Sequence, residues 1–169
     1  MRNINIFCFG FGQVAKNFIK KLNVENYNIR LATTSRSKSS KKIFNGINYN
    51  NYLFNGEGFD KNLVAELEKA DHVLVSIPPE KKEDIVIKNF SKFIKNSKIN
   101  WITYLSATSV YGDHKGEWVN EDSKTNPTSI NGIARLKAEN DWVFLGKNNK
   151  LPIQIFRLSG IYSNEKNIL

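Results

Sequence analysis

The sequence predicts an α/β fold, a Rossmann-like doubly wound parallel sheet with helices on both faces. Three features predict it. Short β-rich runs alternate with helix-length amphipathic runs along all 169 residues, the pattern of repeated βαβ units. The run His72 to Ile77 (HVLVSI) is apolar almost throughout, as expected of a strand covered on both sides. A glycine turn, Gly10-Phe11-Gly12-Gln13-Val14-Ala15, stands where the first strand gives way to the first helix.

In chain order, Ile4 to Phe9 reads as a buried strand. A helix follows over about Gln13 to Leu22, with Val14, Phe18, Ile19 and Leu22 at helical spacing. Asn28 to Thr33 is a second strand. Ser35 to Ser40 is a polar loop with little helix behind it, and Ile47 to Phe54 is a weak third strand. Asp60 can cap a helix through about Ala70, with Leu63, Val64 and Leu67 inward. Pro78-Pro79 stops the fourth strand, and a helix runs over about Lys82 to Ile94. Trp101 to Ser106 is a fifth strand, followed by a long loop to about Thr128. A helix over about Ile130 to Leu145 ends near Gly146, and Pro152 precedes a sixth strand, Ile153 to Leu158. Right-handed crossovers then favour the strand order 3-2-1-4-5-6. Residues 1–169 thus read as one dinucleotide-binding domain, with little chain left for a substrate-binding region.

With 40 % apolar residues, the chain can bury a substantial core. A single cysteine, Cys8, excludes an internal disulfide framework and a cysteine-based zinc site. It lies in an apolar run and is expected to be a buried strand residue. Neither His72 nor His114 has metal-ligand partners at useful spacing, so no metal site is expected. No apolar run is long enough for a membrane span, and the N-terminus lacks the pattern of a signal peptide. A cytoplasmic location and no membrane partner are the resulting expectations. The net charge of +9 favours anionic ligands. Its lysines are scattered over predicted polar helix faces and no nucleic-acid module accompanies them, so a nucleic-acid partner is not expected.

The glycine turn has the form G-x-G-x-x-A after a strand and at the start of a helix. Gly10 permits a tight bend, Gly12 lets the backbone approach a pyrophosphate, and Ala15 allows close helix–strand packing. Free N–H groups and the helix dipole favour the anion. Gly10, Phe11, Gly12, Gln13 and Val14 are therefore the candidate phosphate cradle. The second strand should end at the adenosine ribose, where NAD-preferring sites place a carboxylate. Here the segment reads Thr33-Thr34-Ser35-Arg36-Ser37-Lys38, without an acid. A guanidinium and hydroxyls suit a 2′-phosphate. Ser35, Arg36 and Lys38 thus point to NADP(H) over NAD(H). Ser76, Ile77 and Pro78 end the fourth strand where a bound cofactor would pass.

Leu105-Ser106-Ala107-Thr108-Ser109-Val110-Tyr111-Gly112 resembles the S-x-x-x-V-Y-G segment of the extended short-chain dehydrogenase/reductases, the NAD-dependent epimerase/dehydratase group. The glycine turn, Val73 to Pro79 and Phe156 to Tyr162 agree with it, and Gly112 to Glu121 looks like an atypical branch. The resemblance spans nearly the whole chain and implies a Rossmann domain that ends before the family's substrate-binding region. It implies catalysis by a Ser or Thr with a Tyr and a Lys in Y-x-x-x-K. Registering the segments places Ala107 at the Ser/Thr position, Asn131 at the Tyr position and Arg135 at the Lys position. Ala107 has no hydroxyl, and Asn131 has no proton to exchange near neutral pH. Arg135 keeps a charge for the ribose but does not deprotonate. Ser106 sits at the ligand-binding end of its strand. Thr108 and Tyr111 are the substitute catalytic candidates, polarising a carbonyl.

Two readings follow. One is an NAD(P)-dependent oxidoreductase or epimerase-like protein acting on a small carbonyl or sugar-nucleotide substrate. The other is a non-catalytic NADP(H)-binding module, a redox sensor or assembly partner. The resemblance also implies a homodimer face on the last two helices, where Phe90, Phe93, Ile94, Trp142, Val143 and Leu145 read most simply as core.

Overall fold

The computed structural model describes residues 2–80 and 83–162. Seven strands form one sheet in the order β3-β4-β2-β1-β5-β6-β7. They are β1 (Asn3–Phe9), β2 (Asn28–Ser35), β3 (Ser40–Phe44), β4 (Ile47–Leu53), β5 (His72–Val75), β6 (Trp101–Ala107) and β7 (Ile153–Leu158). The helices are α1 (Gln13–Val24), α2 (Asn62–Leu67), α3 (Ile85–Lys95) and α4 (Ile130–Asn149), with a 3-10 turn at Thr108–Val110. All pairings are parallel except β3 with β4. Without β3, the order is the predicted doubly wound one.

β3 is the main departure from the sequence expectation. Part of the polar loop and the residues after it form an antiparallel edge strand that turns at Asn45-Gly46, both at positive φ. Its strand residues include Lys41 and Lys42, which suit an exposed edge. They give no hydrophobic alternation to read. β5 stops at Val75, so Ser76 and Ile77 belong to the connection. α2 is shorter than expected, and Asp60 lies before it. The N-cap of α2 is Lys61 rather than Asp60, and it makes no side-chain cap bond; the Asp60 carboxylate accepts the Asn62 N–H at 2.9 Å from one residue further out. α3 begins at Ile85, where the Asp84 carboxylate accepts from Val86 and Ile87 N–H, both at 2.9 Å. The predicted start at Lys82 lies outside the described residues. α4 runs through Gly146 to Asn149 and ends on Lys150 in the left-handed region, because Gly146 is packed against Ile153 inside the helix.

The core has two layers. On one face, Phe7, Phe9, Val73, Val75, Ile102 and Tyr104 pack with Leu63, Phe90, Ile94, Trp142 and Leu145 from α2, α3 and α4. On the other, Ile6, Cys8, Leu31, Leu74 and Leu105 meet Ala15 and Ile19 of α1. Cys8 is fully buried as expected, and burial pushes its thiol up to about 12. Phe90, Ile94, Trp142 and Leu145 are core, whereas Val143 and Phe144 are exposed. No described helix is long and apolar enough to cross a membrane. Among the described residues no group of His, Cys, Asp and Glu is placed to hold a metal.

Candidate functional site

The carboxyl ends of β1, β2 and β5 meet around the glycine turn. Gly10 has φ 81°, and a Cβ there would stand 2.9 Å from Ser76 Oγ and 3.1 Å from Ile77 Cγ1. Only glycine suits both the dihedral and the space. Ser76 closes the turn from one side, its N–H and hydroxyl both donating to the Phe9 carbonyl at 2.9 and 3.1 Å. Thr34 closes it from the other by accepting the Gly10 N–H at 2.9 Å. Ser76 and Ile77 thus shape the cradle as well as border it.

Gly12 is the N-cap of α1 and offers no side chain to its first-turn amides, which have no acceptor within the helix. No acidic residue stands in that turn. A Cβ on Gly12 would meet nothing within 4 Å. The buried Gln13 amide nitrogen lacks a hydrogen-bond partner. Open space, unpartnered donors and the positive end of a helix dipole fit a diphosphate. Phe11 packs its ring on Phe44 and Tyr49, each at 5.3 Å between centroids. Val14 turns its side chain into an apolar groove on the sheet. Both leave any role in the cradle to their main chain.

At the end of β2, Ser35 Oγ accepts from Asn51 at 2.8 Å and pairs with Ser37 at 2.8 Å. Arg36 and Lys38 are exposed. Arg36 forms an ion pair of 3.0 Å with Glu80, which arrives from the connection after β5. The expectation of no acid here therefore needs correction: the β2 segment has none, but the fold brings Glu80 to its arginine. Asp60 is close by, accepting the Ser39 hydroxyl, a bond that holds its carboxyl below the usual range. Glu80 lies far from Arg36 in sequence. The only available signal was that a residue just after β5 must emerge at the same sheet edge as the end of β2. Pro78 is exposed beside this opening.

The end of β6 is built differently. Ser106 is buried and its hydroxyl has no partner. Ala107 ends the strand, and Thr108 is exposed on the 3-10 turn. Asn131 is exposed on the first turn of α4, which Ser129 caps by accepting the Gly132 N–H at 3.0 Å. Arg135 donates to the Leu105 carbonyl at 3.1 Å, so its guanidinium ties α4 to β6. Tyr111 is buried, and its hydroxyl accepts from Arg157 at 3.0 Å. The same guanidinium holds the buried Glu139 by 2.8 and 3.1 Å bonds and lies 4.9 Å from the Tyr111 ring centroid. Hydrogen bonding to Glu139 pushes Arg157 further above its ordinary range. Sequence reasoning missed this Arg157–Glu139–Tyr111 cluster. His114 leans on Tyr111 and bonds the Lys124 carbonyl at 3.0 Å, which accounts for it within the loop.

Fold and turn together define a class, the Rossmann-like α/β domains with a glycine turn after the first strand. Among solved structures, the chain superposes on a functionally unknown conserved protein from Silicibacter pomeroyi DSS with TM-score 0.73 and 29 % identity, over 94 % of this chain and 54 % of that one. It superposes equally on two epimerases from Bacillus cereus. The UDP-glucuronic acid 4-epimerase, solved in complex with NAD, gives TM-score 0.74 at 18 % identity over 94 % and 57 % of the two chains. The UDP-N-acetylglucosamine 4-epimerase gives 0.74 at 20 % identity over 98 % and 57 %. The chain spans little more than half the length of these structures, and what it shares with the epimerases is the fold. No family model matches the sequence, and no curated protein matches it.

Proposed function

We propose that this chain binds a nicotinamide dinucleotide as an epimerase-like protein of the short-chain dehydrogenase/reductase type. The observation that carries the reading is the open, donor-lined space at Gly12, next to the Gly10 bend that Ser76 and Thr34 hold. The epimerase complexed with NAD has the same fold, which supports a nicotinamide cofactor. In this reading, the amides of the first turn of α1 hold the diphosphate. Arg36 favours NADP(H), since its guanidinium suits a 2′-phosphate. To reach that phosphate it must leave Glu80, so the two anions compete for one cation. When bound, the cofactor would supply hydride transfer to or from a small carbonyl or sugar-nucleotide substrate.

A second reading, a non-catalytic dinucleotide-binding module, is favoured by a separate observation. The Tyr111 hydroxyl is engaged by Arg157, and Ala107 and Asn131 stand where the resemblance expects a hydroxyl and a phenol. Thr108 is the one exposed hydroxyl at the end of β6 among the residues singled out for proton transfer. Titrating the folded protein with NADPH and NADH tests the shared claim: saturable binding is expected, and its absence for both removes it. Single-turnover mixing with NADPH and a panel of carbonyls, and with NADP+ or NAD+ and a panel of UDP-sugars, separates the readings. Hydride transfer in either direction that is lost in Thr108→Ala supports catalysis; binding without hydride transfer supports the module.

A further inference from the structure

The end of β2 lacks an acid, yet the fold supplies one from another connection. β5 is separated from β2 by β1 in the sheet. The segment leaving β5 therefore passes the end of β1, where the glycine turn lies, before Glu80 meets Arg36. Its main chain is pinned there. The Glu80 N–H donates to the Glu83 carbonyl at 2.9 Å, and the Glu83 N–H donates back to the Glu80 carbonyl at 2.8 Å. Asp84 follows at once, capping α3 and accepting from Trp142 Nε1 at 2.9 Å. The Glu80 backbone is thus tied to α3 while its side chain reaches towards β2.

The contact with Arg36 is single, Nη2 to Oε1 at 3.0 Å, rather than the two-pronged one that fixes a guanidinium on a carboxylate. Oε2 is turned to Gly56 in the loop after β4, where a Cβ would stand 3.6 Å from it. The carboxylate therefore sits where the connections after β2, β4 and β5 converge. Asp60 is also near, but both its oxygens are in use, by the Asn62 N–H and the Ser39 hydroxyl. Glu83 is held by Lys88 at 2.8 Å. The Arg36 and Glu80 side chains are 77 % and 38 % exposed, so each can turn without disturbing the core, and an exposed pair of this kind is weak. Two nucleotides would read the pair in opposite ways. A ribose diol offers hydroxyl donors, which a carboxylate can accept and a guanidinium cannot. A 2′-phosphate offers charged acceptors, which suit a guanidinium and are repelled by a carboxylate. Arg36 alone would select the phosphate; Arg36 with Glu80 beside it holds a group for either.

We propose that Glu80 is the ribose-reading residue of this chain. It accepts the adenosine 2′-hydroxyl of NAD(H) and releases Arg36 to the 2′-phosphate of NADP(H), so that one site takes both dinucleotides. This role rests on the dinucleotide reading above, and it moves the discrimination between the two from the end of β2 to the segment after β5. The test is calorimetric titration of the 169-residue chain with NADH, NADPH and NADH lacking the adenosine 2′-hydroxyl. The natural chain should bind NADH and NADPH within about tenfold of each other. Glu80→Ala should weaken NADH by about fivefold or more and tighten NADPH by about two- to fivefold, moving their ratio by at least about tenfold. It should leave the 2′-deoxy nucleotide within about twofold, because the hydroxyl that the carboxylate reads is already gone. If Glu80→Ala misfolds, Glu80→Gln keeps the side-chain shape and should move the ratio in the same direction by about fivefold. A natural preference beyond about tenfold for either nucleotide, uniform weakening of all three, or a ratio unmoved in folded variants would each overturn the proposal. No binding of any nucleotide to the natural chain would instead remove the dinucleotide reading, and this role with it.

Discussion

The glycine turn after β1 and the segment after β6 lie at the same edge of the sheet, yet they differ in what they leave free. At the first, function is assigned to the backbone, and the side chains around it, Ser76 and Thr34, hold the bend open. At the second, function would need particular side-chain atoms, and most of those present are engaged in packing. Tyr111 is tied to Arg157, Arg135 to the Leu105 carbonyl, and Arg157 to Glu139. A backbone cradle demands only small residues and a bend. Proton transfer demands a titratable group in reach of substrate, and the buried cluster here has a structural use for its ionisable groups.

The largest expected effect tests that structural use. Arg157→Met leaves Glu139, whose side chain is 4 % exposed, as a buried unpaired carboxylate. Such a break costs about 3–5 kcal/mol, read as a lower midpoint in urea unfolding. Tyr111→Phe removes only the phenolic end of the cluster and should cost about 1 kcal/mol. If Tyr111→Phe instead leaves stability untouched and abolishes turnover, the phenol is catalytic and the contrast collapses.

Next in size is Gly12→Val. A Cβ there meets no protein atom within 4 Å, so thermal stability should hold. The added side chain enters the space assigned to the diphosphate, and nucleotide affinity should fall by about a hundredfold, an effect of about 3 kcal/mol. Isothermal titration alongside a melting curve checks both halves.

Arg36→Asp sharpens the assignment at the ribose. NADPH binding should weaken by about tenfold or more while NADH changes little, since a charge-assisted hydrogen bond contributes about 1.5–3 kcal/mol. Glu80→Gln should act in the opposite direction and tighten NADPH by about two- to fivefold, the scale of an exposed ion pair. Equal losses for the two nucleotides in Arg36→Asp would remove the case for a phosphate.

The smallest effect lies away from both regions, at His72, which lines an apolar groove on the sheet. Burial lowers its pKa below the ordinary 6.5, so the folded chain prefers the neutral ring. Its contribution to stability is complete above pH 6.5. It is lost as the pH falls from there towards the lower folded value, because the unfolded chain takes up the proton first. Unfolding midpoints measured between pH 7.5 and 5 should decline less in His72→Gln than in the natural sequence.

Among the described residues, six of the seven strands and all four helices were legible in the residue pattern, because each is bounded by local chemistry. Pro78-Pro79 ends one strand, Pro152 precedes another, and the G-x-G-x-x-A bend declares the first crossover. Element ends were less legible. β5 gives up Ser76 to the turn, and α4 passes through Gly146, because long-range contacts decide both. β3 escaped notice because an edge strand has no second face to bury, so its lysines leave no alternating signature.

From sequence alone, this protein was bound to be a parallel α/β domain with an anion-ready first turn, since periodicity and glycine placement act between neighbours in the chain. Only the tertiary structure decided that Glu80 meets Arg36 and that Arg157 occupies Tyr111. Those pairings join residues 44 and 46 positions apart, and proximity across such a span is a property of the folded sheet rather than of any local pattern.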